Sequence, residues 1–290
     1  MIESLFTGLL TGGIYALVAL SYSLIFTTTR VVNFAMGEII MVAAMMTYTC
    51  HGLWGMPILA ALIIGWAVAV LVNLIIRTAA LRRLQTLEPI SALLVTLSCG
   101  WLIYSLAQLI WGTSGAHFPA IFGKVNLFRL GSLYVTSQDL ATIVIIILAL
   151  IIMDVIQRQT ALGKSMQAAA EDHEACGVVG LNVGRINSLA FTLAAILCTV
   201  AAILMAPITG ANPQMGTMVG LKGFAAGVLG GLTRANSAIL GGLIFGVGES
   251  LAGYWFGGES KEIIIFILLM IVLGFRPTGL WGEVQWQRAA

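Results

Sequence analysis

The chain is dominated by nine unbroken apolar segments, at about 5–26, 35–50, 57–76, 90–110, 139–157, 188–206, 218–233, 237–254 and 262–275. Wherever water is absent, such runs must satisfy their own backbone amides, and an α-helix does this within one segment. The remainder of the chain offers too little polar surface to coat a soluble globule. Of 290 residues, 59% are hydrophobic and 9% charged, against roughly 25% charged in a soluble domain. A soluble enzyme, a disordered chain and a fibrous chain are therefore excluded. An outer-membrane barrel would show short alternating strands instead. The expected fold is an all-α polytopic membrane protein, a single transmembrane domain over residues 1–290 with eight or nine crossings. The seventh and ninth segments are short for a hydrocarbon core of ~30 Å, so they are candidates for tilted, broken or re-entrant helices.

Loop charges set the expected orientation. With the N-terminus outside, one side of the membrane receives ten cations: Arg30, Arg77, Arg82, Arg83, Arg158, Lys164, Arg185, Arg234, Arg276 and Arg288. The other side receives three, Lys124, Arg129 and Lys261, and Lys222 falls inside a span. This asymmetry predicts an outside N-terminus and a cytoplasmic C-terminus. The first residues, MIESLF, have no positive region ahead of the first span, so that segment is expected to be retained rather than cleaved. The net charge of +2 is scattered and gives no reason to expect a nucleic-acid partner.

Two loops are long. Residues 111–138 hold Trp111, Phe118, Phe122, Phe128 and Tyr134, which suit an extracytoplasmic loop lying partly in the interface. Residues 158–187 are polar and alanine-rich and are expected in the cytoplasm. The run Ser165–Ala175 has good helix formers, so a short helix is expected there, ending near Gly177 or Gly180. Ala169 and Ala170 offer a small docking face, with Glu171 and Asp172 at its rim.

A faint internal repeat is visible. Asn33-Phe-Ala-Met36-Gly37 follows the first span and Asn212-Pro-Gln-Met215-Gly216 follows the sixth. The two copies are five crossings apart, an odd number, so they would have opposite topology. Inverted repeats with interrupted helices place a substrate path at their interface. Asn33 and Asn212 are therefore pathway candidates where helices start or break. The glycines between Gly227 and Gly248 read first as small-residue packing faces. A second reading makes unwound backbone at Gly230-Gly231 part of the pathway.

Signals for catalysis are weak. Gly163-Lys164-Ser165 has Arg158 where a phosphate loop needs its first glycine, so no nucleotide site is expected. His51, His117 and His173 are dispersed, and the four cysteines show no metal-type spacing. Neither a catalytic residue nor a metal ligand is assigned. Intramembrane charges carry more information. Glu38 and Glu249 lie within apolar segments, and a bare charge in hydrocarbon costs several kcal/mol, roughly 2.5–3.5 by insertion scales. Each must therefore face protein or water, in a structural, gating or ion-conducting role.

Five landmarks then occur in order. They are Gly8-Leu-Leu-Thr-Gly12-Gly13-Ile-Tyr15 with Val32-Asn33-Phe34-Ala35-Met36-Gly37-Glu38; Thr160-Ala-Leu-Gly163 with Ala170-Glu171-Asp172 and Gly180-Leu-Asn182-Val; Val228-Leu-Gly230-Gly231-Leu; Gly241-Gly242-Leu with Gly246-Val-Gly-Glu249; and Phe275-Arg276-Pro277-Thr278-Gly279-Leu280. This series resembles the permeases of branched-chain amino acid ABC importers, specifically the shorter, LivH-type subunit. Many relatives have His where this chain has Met36, which argues against a titrating role there and allows a shifted solute. The resemblance implies an inner-membrane subunit that binds no cofactor, with ATP used by partner subunits. The implied partners are a second permease of similar fold, two ATP-binding subunits and a periplasmic solute-binding protein. The solute would be a branched-chain or related amino acid, urea or a short amide, or an aromatic acid. An ion-coupled secondary transporter built from inverted repeats, using Glu38 and Glu249, is the alternative. A membrane scaffold with no transport of its own is a third.

Overall fold

The computed structural model describes residues 1–81, 89–115, 118, 120–123, 125–130, 133–171 and 173–282. Each apolar segment forms a helix. In chain order these are α1 (Ile2–Thr29), α2 (Met36–Tyr48), α3 (Ile58–Ile75), α4 (Pro89–Trp111), α5 (Ser137–Gln159), α8 (Val183–Thr209), α9 (Met215–Gly230), α10 (Ala235–Phe256) and α11 (Lys261–Phe275). The polar loop between α5 and α8 contributes α6 (Ala161–Glu171) and α7 (His173–Val178). The chain is a multi-pass membrane protein. Among the described residues, six helices (α1, α3, α4, α5, α8 and α10) are long and apolar enough to cross a membrane. With 13, 16 and 15 residues, α2, α9 and α11 are shorter.

Apolar character does not separate the centre of the bundle from its rim, but burial does. The apolar window of α1 is 83% buried and that of α8 67%, against 17–22% for α3, α4 and α5. On α1, Gly8 and Gly12 bring its backbone against α10. A Cβ on either would lie 2.9 Å from Val247 Cα or Leu243 O. Small residues permit such close approach where no hydrophobic force draws apolar helices together in lipid. The peripheral helices instead turn Leu59, Ile63, Leu94, Leu109, Ile147 and Ile151 outward, as a lipid-facing surface requires.

Polar contacts define the two ends of the bundle. At one end, the Ser250 hydroxyl donates to Ser4 O at 2.5 Å, Trp111 Nε1 donates to Thr49 Oγ1 at 2.7 Å, and Gly115 lies beside Asn212. At the other, Arg30 donates to Ala170 O at 2.6 Å, Ser23 donates to Leu232 O at 2.8 Å, and Arg77 donates to Gly184 O. The described cations of the richer side cluster at this second end, where Arg30, Arg158 and Arg234 line one cleft. Lys261 lies at the first end. Arg82, Arg83, Lys124 and Arg288 fall outside the described residues.

The two long loops compare differently with expectation. The 111–138 loop contains a small antiparallel pair, β1 (Asn126–Leu130) with β2 (Leu133–Thr136), in a chain that is otherwise an all-α membrane protein. Its second strand leads directly into α5, whose start is fixed by a capping box between Thr136 and Asp139. In the other loop, helix is found where it is expected over Ser165–Ala175, as α6 and α7 on either side of Asp172, which lies outside the described residues. The turn does come at Gly180, with φ of +83°, a conformation that favours glycine. Leu181 N–H closes it on Cys176 O at 2.9 Å.

Candidate functional site

The starts of α2 and α9 are built alike. In each, the residue before the helix is in the αR region (Ala35 φ −75°, Gln214 φ −80°). In each, the amide of the methionine donates to the carbonyl of the asparagine three residues earlier, Met36 to Asn33 and Met215 to Asn212, both at 3.2 Å. The shared Asn-x-x-Met-Gly motif thus encodes one local structure used twice.

The two starts also meet each other. A Cβ on Gly37 would lie 2.5 Å from Gly216 O, and a Cβ on Gly216 would lie 2.5 Å from Gly37 O. Beyond this pair, Gly37 approaches Gly220, and Gly216 approaches Met41. Moving C-terminally along α2 therefore moves the partner N-terminally along α9, as in an antiparallel crossing. Gly100, near the midpoint of α4, would place a Cβ 3.6 Å from Ala35 Cα, so the crossing lies deep in the bundle. Both helices are short because their entry segments, about 30–35 and 210–214, are not helical.

Asn33 anchors the first entry segment. Its side-chain carbonyl accepts from Ala35 N–H at 3.1 Å and its amide donates to Asn73 Oδ1 at 3.3 Å. Asn73 in turn donates to Phe191 O on α8 at 2.8 Å. All this lies in the buried interior, where unpaired amides are costly. Asn212 has a different setting, on the wall of a cavity of about 430 Å³ at the Ser4–Ser250 end.

Glu38 and Glu249 occupy different sites. Glu38 is 6% exposed and lines a cavity of about 580 Å³ among α2, α4 and α9. Its Oε1 accepts from Thr217 Oγ1 at 2.8 Å, and its buried Oε2 has no hydrogen-bond partner. Thr217 occupies in α9 the position that Glu38 occupies in α2. Glu249 belongs to an ion cluster. Lys222 Nζ lies 2.7 Å from Glu249 Oε1 and 2.7 Å from Glu262 Oε1, and Lys261 lies 3.8 Å from Glu249. Sequence reasoning picked out Lys222 and Glu249 separately but missed Glu262 and the pairing. They stand on three helices, 27 and 40 residues apart, and no local pattern links such positions. It also missed Thr217, Tyr22, Trp101 and Tyr104 around Glu38; only the repeat offset marked Thr217.

Gly230 and Gly231 end α9. Gly231 has φ of +110°, and the carbonyls of Leu229 and Gly230 accept from Leu280 N–H at 2.8 Å and Trp281 N–H at 3.1 Å. The Arg276–Leu280 signature thus closes over the end of α9 and takes up carbonyls a helix leaves open.

In the loop between α5 and α8, Ala169 is fully buried against Met166, Cys176, Ile186 and Ala190. It faces this chain rather than a free docking surface, because α6 folds back on the start of α8. Ala170 is half-buried and its carbonyl takes the Arg30 bond. Glu171 is exposed, Gly180 is exposed at the turn, and Asp172 lies outside the described residues. The outward apolar residues are Val178 and Val179, 90% and 78% exposed.

Residues 4–273 match the family described as branched-chain amino acid transport system, permease component. This chain belongs to that family. It is 28% identical to the high-affinity branched-chain amino acid transport system permease protein LivH of Salmonella typhimurium, over 98% of this chain and 96% of that one. It is 27% identical to BraD, a permease protein of the same description from Pseudomonas aeruginosa, with the same coverage. A solved structure, PsaBC from Streptococcus pneumoniae in complex with Fab, shares the fold at a TM-score of 0.51 and 13% identity, covering 95% of this chain and 92% of that one.

Proposed function

We propose that this chain is the permease subunit of a binding-protein-dependent ABC importer that moves branched-chain or related amino acids across the inner membrane. The observation that carries the reading is the reciprocal crossing of α2 and α9, in a chain whose residues 4–273 match a permease family. Interrupted helices meeting inside a bundle are how many transporters place a pathway. In this reading the two Asn-x-x-Met-Gly starts are the matching points of an inverted repeat, and nine crossings put the N-terminus outside and the C-terminus in the cytoplasm. A second permease of similar fold completes the membrane body, two ATP-binding subunits hydrolyse ATP, and a periplasmic solute-binding protein delivers the solute. The chain itself binds no cofactor.

The end bearing Arg30, Arg158 and Arg234 would then face the ATPases. Docking falls to α6, α7 and the turn beyond them, with Val178 and Val179 as the apolar knob and Glu171 at the rim, where charges set register more than affinity. Movement would pass to the bundle through Arg30–Ala170. The test is uptake into liposomes holding the complete complex. Leucine, isoleucine or valine uptake that needs ATP and survives an uncoupler is expected. Uptake driven by a pH gradient without ATP would favour the ion-coupled transporter. Uptake confined to urea, amides or aromatic acids would move the solute assignment.

A further inference from the structure

We infer that Glu38 holds the ammonium group of the cargo in the cavity between α2, α4 and α9, an inference that rests on the importer reading. Three observations converge on this site. The carboxylate is 6% exposed, yet only one of its oxygens is engaged, by Thr217 at 2.8 Å; Oε2 is buried with no partner. Burying a carboxylate oxygen without a donor is costly, and native structures avoid it unless something else supplies the donor. Glu38 lines a cavity of about 580 Å³, within the ~300–1,000 Å³ range of small-molecule sites. Among the described lining residues Glu38 is the only charged one, so no described lysine or arginine answers it there.

The remaining lining tells which cation fits. Tyr22, Phe34, Trp101 and Tyr104 put aromatic rings around the space, and Leu97 and Leu221 add apolar surface. Aromatic faces attract organic ammonium groups, and apolar walls suit an aliphatic substituent. The site therefore matches a primary ammonium carrying an apolar side chain, the part of a branched-chain amino acid away from its carboxylate. Gly37 and Gly220 bring the two helix backbones together beside Glu38, so a cargo held there lies at the crossing.

The test uses the full complex in liposomes, with leucine presented by its saturated binding protein. Glu38→Gln is expected to lower uptake about tenfold or more, the loss of one charge-assisted contact. Hydrolysis of ATP in response to binding protein should stay within about twofold of parental. Glu38→Asp should recover part of the uptake. Isoamylamine, which has the ammonium and the aliphatic chain, should compete with leucine, and isocaproate, which lacks the ammonium, should not. Parental uptake by Glu38→Gln, joint loss of uptake and hydrolysis in both variants with assembly intact, or failure of isoamylamine to compete better than isocaproate would each overturn the assignment. If the parental complex imports no branched-chain amino acid, the importer reading fails and this site with it, a result distinct from a defect confined to the Glu38 variants.

Discussion

The two half-length helices start alike and then part in how they handle charge. In α9, Lys222 is held by Glu249 and Glu262, and Lys261 stands beyond them. The protein supplies both signs. In α2, Glu38 receives one neutral hydroxyl, its second oxygen is buried without a partner, and the residue lines a cavity. A buried charge whose counter-ion comes from the same chain holds helices together. One without a counter-ion among the described residues is where the proposed cargo site lies. The repeat makes the contrast sharp, because Glu38 and Thr217 are equivalent positions that bond to each other.

The largest effect is expected at the closed cluster. Glu249→Leu leaves Lys222 with only the half-exposed Glu262, and truncating one side of a buried pair costs about 3–5 kcal/mol. Thermal unfolding in detergent should show a large fall, with most of it recovered in the double variant Lys222→Met/Glu249→Leu. Unchanged stability in Glu249→Leu would break the distinction between the two sites. Next comes the crossing itself. Gly37→Ala and Gly216→Ala each drive a Cβ against the other's carbonyl, so both should cost about 2–3 kcal/mol as overpacking. Gly216→Ala should lose somewhat more, since its Cβ also meets Met41 Cβ at 2.7 Å, and a loss in only one of the two would show that the contact is not reciprocal.

A smaller effect is expected for Thr217→Val, which removes the one donor to Glu38 at a cost of about 1–2 kcal/mol. Weakened uptake with normal assembly would be the result to look for; no change in either would mean that Glu38 is held by something else. Smallest is Arg30→Ala, which releases an exposed hydrogen bond worth about 1 kcal/mol or less. Hydrogen exchange should quicken in α6 and leave α2 and α9 as they were. Equal quickening throughout would detach Arg30 from the proposed coupling route.

Much of this architecture was legible along the chain. Every apolar segment is a helix, and the described cations of the richer side do gather at one end. The Asn-x-x-Met-Gly echo, three identities in five positions, marked two helix starts that turn out to meet. The hairpin before α5 is not legible in the sequence, because strands of five and four residues are too short to show a clear alternation. The inward turn of Ala169 was equally hidden, since an alanine suits a packed face and a docking face alike, and only the partner across the gap decides. The pairing of Lys222 with Glu249 and Glu262 needed three helices in place.

The sequence by itself determined that the chain lives in a membrane as helices, because unbroken apolar runs have no other way to satisfy their amides out of water. It also marked where helices start, through short-range asparagine and glycine chemistry. Only the tertiary structure decided which apolar helices are central, that α2 and α9 cross at their glycines, and that one buried glutamate is paired while the other has no counter-ion among the described residues. Those outcomes depend on distances between residues far apart in the chain. Apolar helices in lipid look alike until small side chains let particular backbones touch, and that selection is made between helices, not within one.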